Sequence, residues 1–133
     1  MRGRGPAAGS PTAERRRRAD RAGRVAETLC VVSLMLRGYR VLARRFRSPV
    51  GELDIVARRG RVLAFVEVKA RSNLGLAAES IGARQRSRVE RAAEAYLARH
   101  PALLRLDQRF DAMLVAPWRW PRHLCDAWRP SSD

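Results

Sequence analysis

Between positions 62 and 66 the chain reads Val-Leu-Ala-Phe-Val, apolar at every residue. Side chains along a strand alternate between faces. A strand without polar positions must therefore be covered on both sides, as in sheets flanked by helices. Residues 61–69 are thus expected to form a central strand of an α/β fold, a mixed sheet with helices on both faces. That one segment restricts the architecture more than any other feature of the chain.

The rest of the pattern agrees. Residues 19–37 place Val25, Leu29, Val32 and Leu36 at helical spacing, and Gly38 suits a helix stop. Residues 39–46 read as a first strand, Ser48-Pro49-Val50-Gly51 as a turn, and 52–58 as a second strand. Arg59-Gly60 is a tight-turn signal before the central strand. A loop over 71–80 leads to a second helix over 83–99, with Val89, Ala92, Ala93, Tyr96 and Leu97 as its apolar stripe. Residues 110–115 and 123–127 are expected to be strands, and Trp118, Trp120 and Trp128 to cap the core rather than bind bases; three Phe, three Trp and two Tyr advertise no base-stacking platform. The predicted order is α-β-β-β-α-β with a short fifth strand. Residues 1–18, which include Arg15-Arg16-Arg17-Arg18 and show no apolar periodicity, read as a disordered basic tail. A domain over 19–128 and a short C-terminal tail, 129–133, complete the organisation.

A chain of 133 residues supports one domain with a modest core. Its net charge of +15 and pI near 11.7 attract polyphosphates. Nucleic acid is the expected partner: DNA, with RNA also open. No stretch approaches the roughly 18 apolar residues of a membrane span, and residues near the N-terminus lack the apolar segment of a secretory signal. No membrane partner is expected, and the cytoplasm is the default compartment. Cys30 and Cys125 belong to no paired ligand motif and sit among apolar neighbours, so both read as buried thiols. Two cysteines and two histidines argue against a disulfide framework or a zinc site.

The chemistry concentrates in one hairpin. Of the 28 basic residues, 27 are arginine, and the single lysine is Lys69 in Glu67-Val68-Lys69. Lysine is a compact ammonium whose proton can move, unlike the fixed guanidinium, which marks Lys69 as a catalytic residue. If Arg59-Gly60 forms a two-residue loop, Arg58 faces Arg61, Asp54 faces Phe65 and Glu52 faces Glu67. Glu52, Asp54, Glu67 and Lys69 then share one sheet face, with Asp54 and Glu67 as diagonal neighbours. Carboxylates gathered in this way repel one another. A divalent cation, Mg²⁺ or Mn²⁺, would offset that cost with oxygen ligands from Asp54, Glu67 and the Val68 carbonyl. A metal-activated water is a better nucleophile. Lys69 could orient that water, take its proton or stabilise transition-state charge.

Glu27 is the only charged residue between Val25 and Leu36. It either joins the hairpin face as a further metal ligand or water positioner, or pairs with an arginine. Arg84, Arg86, Arg88 and Arg91 crowd the start of the second helix, where cations oppose the helix dipole. Phosphate contact is the expected use of Arg84, Arg86 and Arg88.

An acid followed by Glu-X-Lys across a hairpin, here Asp54 and Glu67-Val68-Lys69, resembles the PD-(D/E)XK nuclease superfamily. A longer set of segments is more specific. Gly38-Tyr39-Arg40-Val41-Leu42, Gly51-Glu52-Leu53-Asp54-Ile55-Val56, Phe65 to Arg71, Ala92-Ala93 with Tyr96-Leu97, and Arg109-Phe110-Asp111 resemble the YraN-type family of small bacterial proteins. That family is described as predicted endonucleases related to archaeal Holliday junction resolvases. The resemblance spans about residues 24–127. It implies a restriction-endonuclease-like core, Asp54 and Glu67 as metal ligands, Lys69 as catalytic lysine and Glu27 as an assisting acid, and it is compatible with a homodimer. Where the family usually has a lysine at the start of the second helix, this chain has Gln85. The expected activity is metal-dependent endonucleolytic cleavage of DNA, branched or otherwise structured. The rival is a nucleic-acid-binding module that keeps the fold without cutting.

Overall fold

The computed structural model describes residues 11–71 and 81–130. Most of the expected 71–80 loop, the first ten residues and the last three lie outside the described residues. The elements are α1 (Pro11–Leu36), β1 (Arg40–Ser48), β2 (Gly51–Arg59), β3 (Val62–Ala70), α2 (Ala83–Arg99), a 3₁₀ turn (Pro101–Arg105), β4 (Asp107–Val115) and β5 (Arg122–Trp128). Helix α1 therefore begins eight residues before the expected start, within the segment read as a tail.

The five strands lie in the order β1-β2-β3-β4-β5, with β3 and β4 parallel and every other pair antiparallel. This is a mixed sheet with a helix on each face, the arrangement of a restriction-endonuclease-like core. Strand β3 divides its residues as its sequence requires. Leu63 and Phe65 join Val89, Ala93 and Tyr96 of α2, while Ala64 and Val66 join Ala26, Cys30 and Leu34 of α1. Among the described residues, no helix is long and apolar enough to cross a membrane.

Helix α1 ends in a Schellman turn. Gly38 takes φ 89°, its N–H donates to the Met35 carbonyl, and the Tyr39 N–H donates to Leu34. The face of α1 turned to the sheet carries Ala26, Glu27, Cys30, Ser33 and Leu34. Small residues there let the helix approach the strands closely. The stripe expected to be buried is not: Val25, Val32 and Leu36 are exposed. Helical periodicity found an apolar face, but the sheet took the neighbouring one.

The β2–β3 hairpin closes at Arg59 and Val62, so its loop is Gly60-Arg61 rather than Arg59-Gly60. Gly60 takes φ 60° in the first loop position, a conformation that costs glycine nothing. The shift preserves the inside–outside parity but changes the partners: Ile55 faces Val66, and continuing one step sets Asp54 opposite Glu67 instead of diagonal to it.

Trp128 caps the core as expected, stacked on Phe110 with its indole N–H donating to Glu90. Trp118 and Trp120 do not; both are exposed.

Gly51 opens β2 beneath α2. A Cβ there would run into the Arg88 carbonyl and press on Ala92. Gly51→Ala is expected to lower stability by about 1–3 kcal/mol through overpacking, read as a fall in Tm; an unchanged Tm would contradict this close approach.

Candidate active site

Three elements converge where β2 and β3 part. Alternation along β2 breaks at Asp54: Leu53 packs with α2, whereas Ile55, two residues on, packs with α1. Opposite, Arg45 of β1 takes φ 55°, lying between the regular pairs Arg44–Ile55 and Phe46–Leu53. A non-glycine residue at positive φ is uncommon, and this one turns its side chain toward the same helix as Arg44. The twist frees Asp54 from the ladder and turns its carboxylate across the hairpin, where Oδ2 accepts the Val68 N–H at 2.8 Å.

Asp54 and Glu67 also lie within hydrogen-bonding reach of each other. Burial pushes the Asp54 carboxyl up to about 8, helped by the charge of Glu67, a hydrogen bond shared with it and the charge of Glu27; the Val68 N–H pulls the other way. Glu67 is 3% exposed, and its Oε2 accepts Gln85 Nε2 at 2.6 Å and lies 3.3 Å from Lys69 Nζ. Gln85, the residue standing where a lysine was expected, is thus the side chain that α2 sends to the pair. Exposed Arg84, Arg86 and Arg88 surround it on the same helix. Glu52 is also exposed and stays outside the group.

Glu27 lines the same cleft, but arginines occupy both of its oxygens. Arg45 Nε reaches Oε1 and Oε2 at 3.2 and 3.1 Å, and Arg44 reaches Oε1 through Nε at 3.2 Å and a second guanidinium nitrogen at 3.1 Å. The arginine-paired reading of Glu27 is the one the structure contains. Its charge still reaches Asp54 and Cys30, whose thiol is raised to about 12, chiefly by burial.

The cleft beside these groups has a volume of about 630 Å³. Glu27, Asp54, Val68 and Lys69 line it, with Arg24, Arg45, Arg47 and Arg71 around them.

A second polar cluster lies on β4 and β5, and the sequence reading missed it. Three β5 residues, Cys125 to Ala127, oppose Asp111 alone, between the pairs Phe110–Trp128 and Ala112–Leu124. Asp126 takes φ 56° in this bulge and its N–H donates to Asp111 Oδ1. Asp111 is fully buried and also receives Arg109 at 2.8 and 2.7 Å and His123 Nε2 at 2.7 Å. Burial raises its carboxyl, but the bonds from His123, Arg109 and Asp126 outweigh that and hold it below the usual range. Asp111, His123 and Cys125 place donor atoms within 4.8 Å of one another, a group that could hold a metal ion. The bonds present favour a structural role. Arg37 donates to His123 Nδ1 at 3.3 Å, which makes Nε2 the protonated nitrogen and a donor to Asp111. Cys125 is exposed here, unlike the buried thiol expected, and both cysteines are free.

Residues 26–115 match the family model described as "Uncharacterised protein family UPF0102". The chain belongs to the UPF0102 family. This is the YraN-type family that the sequence resembles. UPF0102 proteins of Parvibaculum lavamentivorans, Methylorubrum extorquens and Methylobacterium nodulans are 58%, 57% and 55% identical to it. The alignments cover 84%, 85% and 88% of this chain and 84%, 88% and 91% of those relatives. The UPF0102 match includes Glu27, Asp54, Glu67, Lys69, Gln85 and Asp111.

Because the folded state holds the Asp54 proton above the unfolded value of 3.8, that proton stabilises the protein at low pH. The contribution is lost as pH rises toward about 8. Without divalent metal, Tm is expected to fall over this window, and Asp54→Asn to flatten that part of the curve. Equal pH slopes in the two proteins would refute the assignment.

Proposed function

We propose that this protein is a metal-dependent endonuclease hydrolysing phosphodiester bonds in DNA, branched or structured DNA above all. The observation that carries the reading is the contact of half-buried Asp54 with buried Glu67, with Lys69 against the second, beside a cleft that Asp54 and Lys69 line and arginines flank. Without a cation such a pair keeps a proton that neutral water would otherwise remove. This donor set suits a hard divalent ion.

Asp54 and Glu67 would hold Mg²⁺ or Mn²⁺, with the Val68 carbonyl as the remaining protein donor. The metal would supply charge stabilisation at the phosphoryl group and a lowered pKa for the attacking water. Gln85 fixes the Glu67 carboxylate by its 2.6 Å bond, and the Val68 N–H fixes that of Asp54. Lys69 presents its ammonium at the cleft, where it can orient water and stabilise negative charge as the new P–O bond forms and the old one breaks. Arg24, Arg45, Arg47 and Arg71 offer contacts to flanking phosphates, and Arg84, Arg86 and Arg88 extend the basic surface along α2. Glu27 serves as the counter-charge that holds Arg44 and Arg45 beside the cleft.

One observation favours the second reading, a binding module without cleavage: the α2 residue at Glu67 is neutral Gln85. Labelled four-way junction, flap, single-stranded and duplex DNA, incubated with Mn²⁺, separate the two. Wild type is expected to cut at least one substrate, and Lys69→Ala to cut about 100-fold more slowly or worse while binding equally well. Binding without cutting by wild type would establish the module; undiminished cutting by Lys69→Ala would remove the lysine from the mechanism.

A further inference from the structure

A second groove, of about 820 Å³, adjoins the cleft; Ala26, Ala70 and Arg71 line both. Its character is different. Val25 and Leu29 of α1 form one wall, and Val115, Pro117, Trp118 and Trp120 form the other. Val25 is 60% exposed, Trp120 53%, and Trp118 has its whole surface open at 102%. Trp118 also takes φ 63°. A bulky residue in the left-handed region carries strain, and this one buries nothing in return. Arg71 and Arg119 also line the groove.

Exposed indoles beside arginines are the chemistry of single-stranded nucleic-acid binding: base faces stack on the rings, and phosphates pair with the cations. The charge argues for the same occupant. A net charge of +15 attracts a polyanion and opposes a second copy of this chain. We infer that the Trp118–Trp120 groove takes the unpaired bases of a single strand running out of the cleft. The substrate class is then nucleic acid with an unpaired segment beside the cut. The position of the cut rests on the nuclease reading, whereas occupancy of the groove does not.

The test is metal-free binding by the full chain, read by anisotropy of a labelled oligothymidylate and of a blunt duplex of equal length, together with tryptophan fluorescence. Wild type, Trp118→Phe, Trp118→Ala and Trp118→Ala/Trp120→Ala are compared. The expected result is quenching of wild-type fluorescence by the single strand. Affinity for it should fall about tenfold or more in the double alanine variant and be largely kept by Trp118→Phe, with duplex affinity nearly unchanged. Because Trp118 is fully exposed, its substitution leaves the core untouched. Equal single-strand affinity in all four proteins would overturn the inference. So would a wild-type dimer that becomes monomeric in the double variant without loss of single-strand affinity, which would assign the groove to a second copy. Tryptophan-dependent binding without Mn²⁺-dependent cleavage would uphold the groove and remove the nuclease; cleavage with tryptophan-independent binding would do the reverse.

Discussion

Strand β3 has no solvent face, and the rest of the molecule is arranged to satisfy that condition. Its even residues need α1 and its odd residues need α2, so both helices must lie close to the sheet. Gly51 permits the approach of α2, and Ala26, Cys30 and Ser33 permit that of α1. Once both helices are in place, the end of β3 is enclosed from both sides. Glu67 and Lys69 lie there. Polar groups carried into such a place must find partners within the protein, and they do, in Gln85 and in each other.

The same enclosure makes the site electrostatically tense. Two carboxylates meet where β2 and β3 separate, and a third, Glu27, stands near enough to be felt. The protein answers each differently. Glu27 is neutralised by two arginines, one of which needs an unusual backbone to reach it. Glu67 receives a lysine and an amide. Asp54 receives a backbone N–H and shares a hydrogen bond with Glu67, and burial pushes its carboxyl up to about 8. The uneven treatment separates a structural carboxylate from a pair suited to a cation.

The central strand, the parity of the hairpin and the pairing of Glu67 with Lys69 were legible because each depends on alternation within a short segment; Asp54 joins them where that alternation breaks. Register was less so: an Arg-Gly-Arg turn can close one residue earlier or later, and only the backbone of Gly60 decides. The buried face of α1 was misread because apolar residues lie on two of its faces, and size, not hydropathy, selects which one the sheet accepts. Trp118 and Trp120 lie beside the last strands in sequence, but nothing in their spacing decides between core and surface. The Asp111 cluster gave no local signal. Arg109, Asp111, His123 and Tyr39 meet through a parallel pairing, a bulge and a helix end that no single window contains. The positive φ of Arg45 was equally invisible, since arginine does not advertise it.

The Schellman turn at Gly38 has a mechanical consequence. Arg59 donates to the Arg37 carbonyl at 3.1 Å and Arg37 reaches His123, so this end of α1 is tied to β2 and β5. From there the helix runs to Glu27, a lever of roughly 16 Å at 1.5 Å per residue. There Glu27 is held between Arg44 and Arg45, and Arg44 also donates to Thr28. Between the two, Ala26, Cys30 and Leu34 hold α1 to the sheet by apolar packing. Salt weakens exposed ion pairs most, so the apolar seam keeps this wall of the cleft in place when the charges around it are screened.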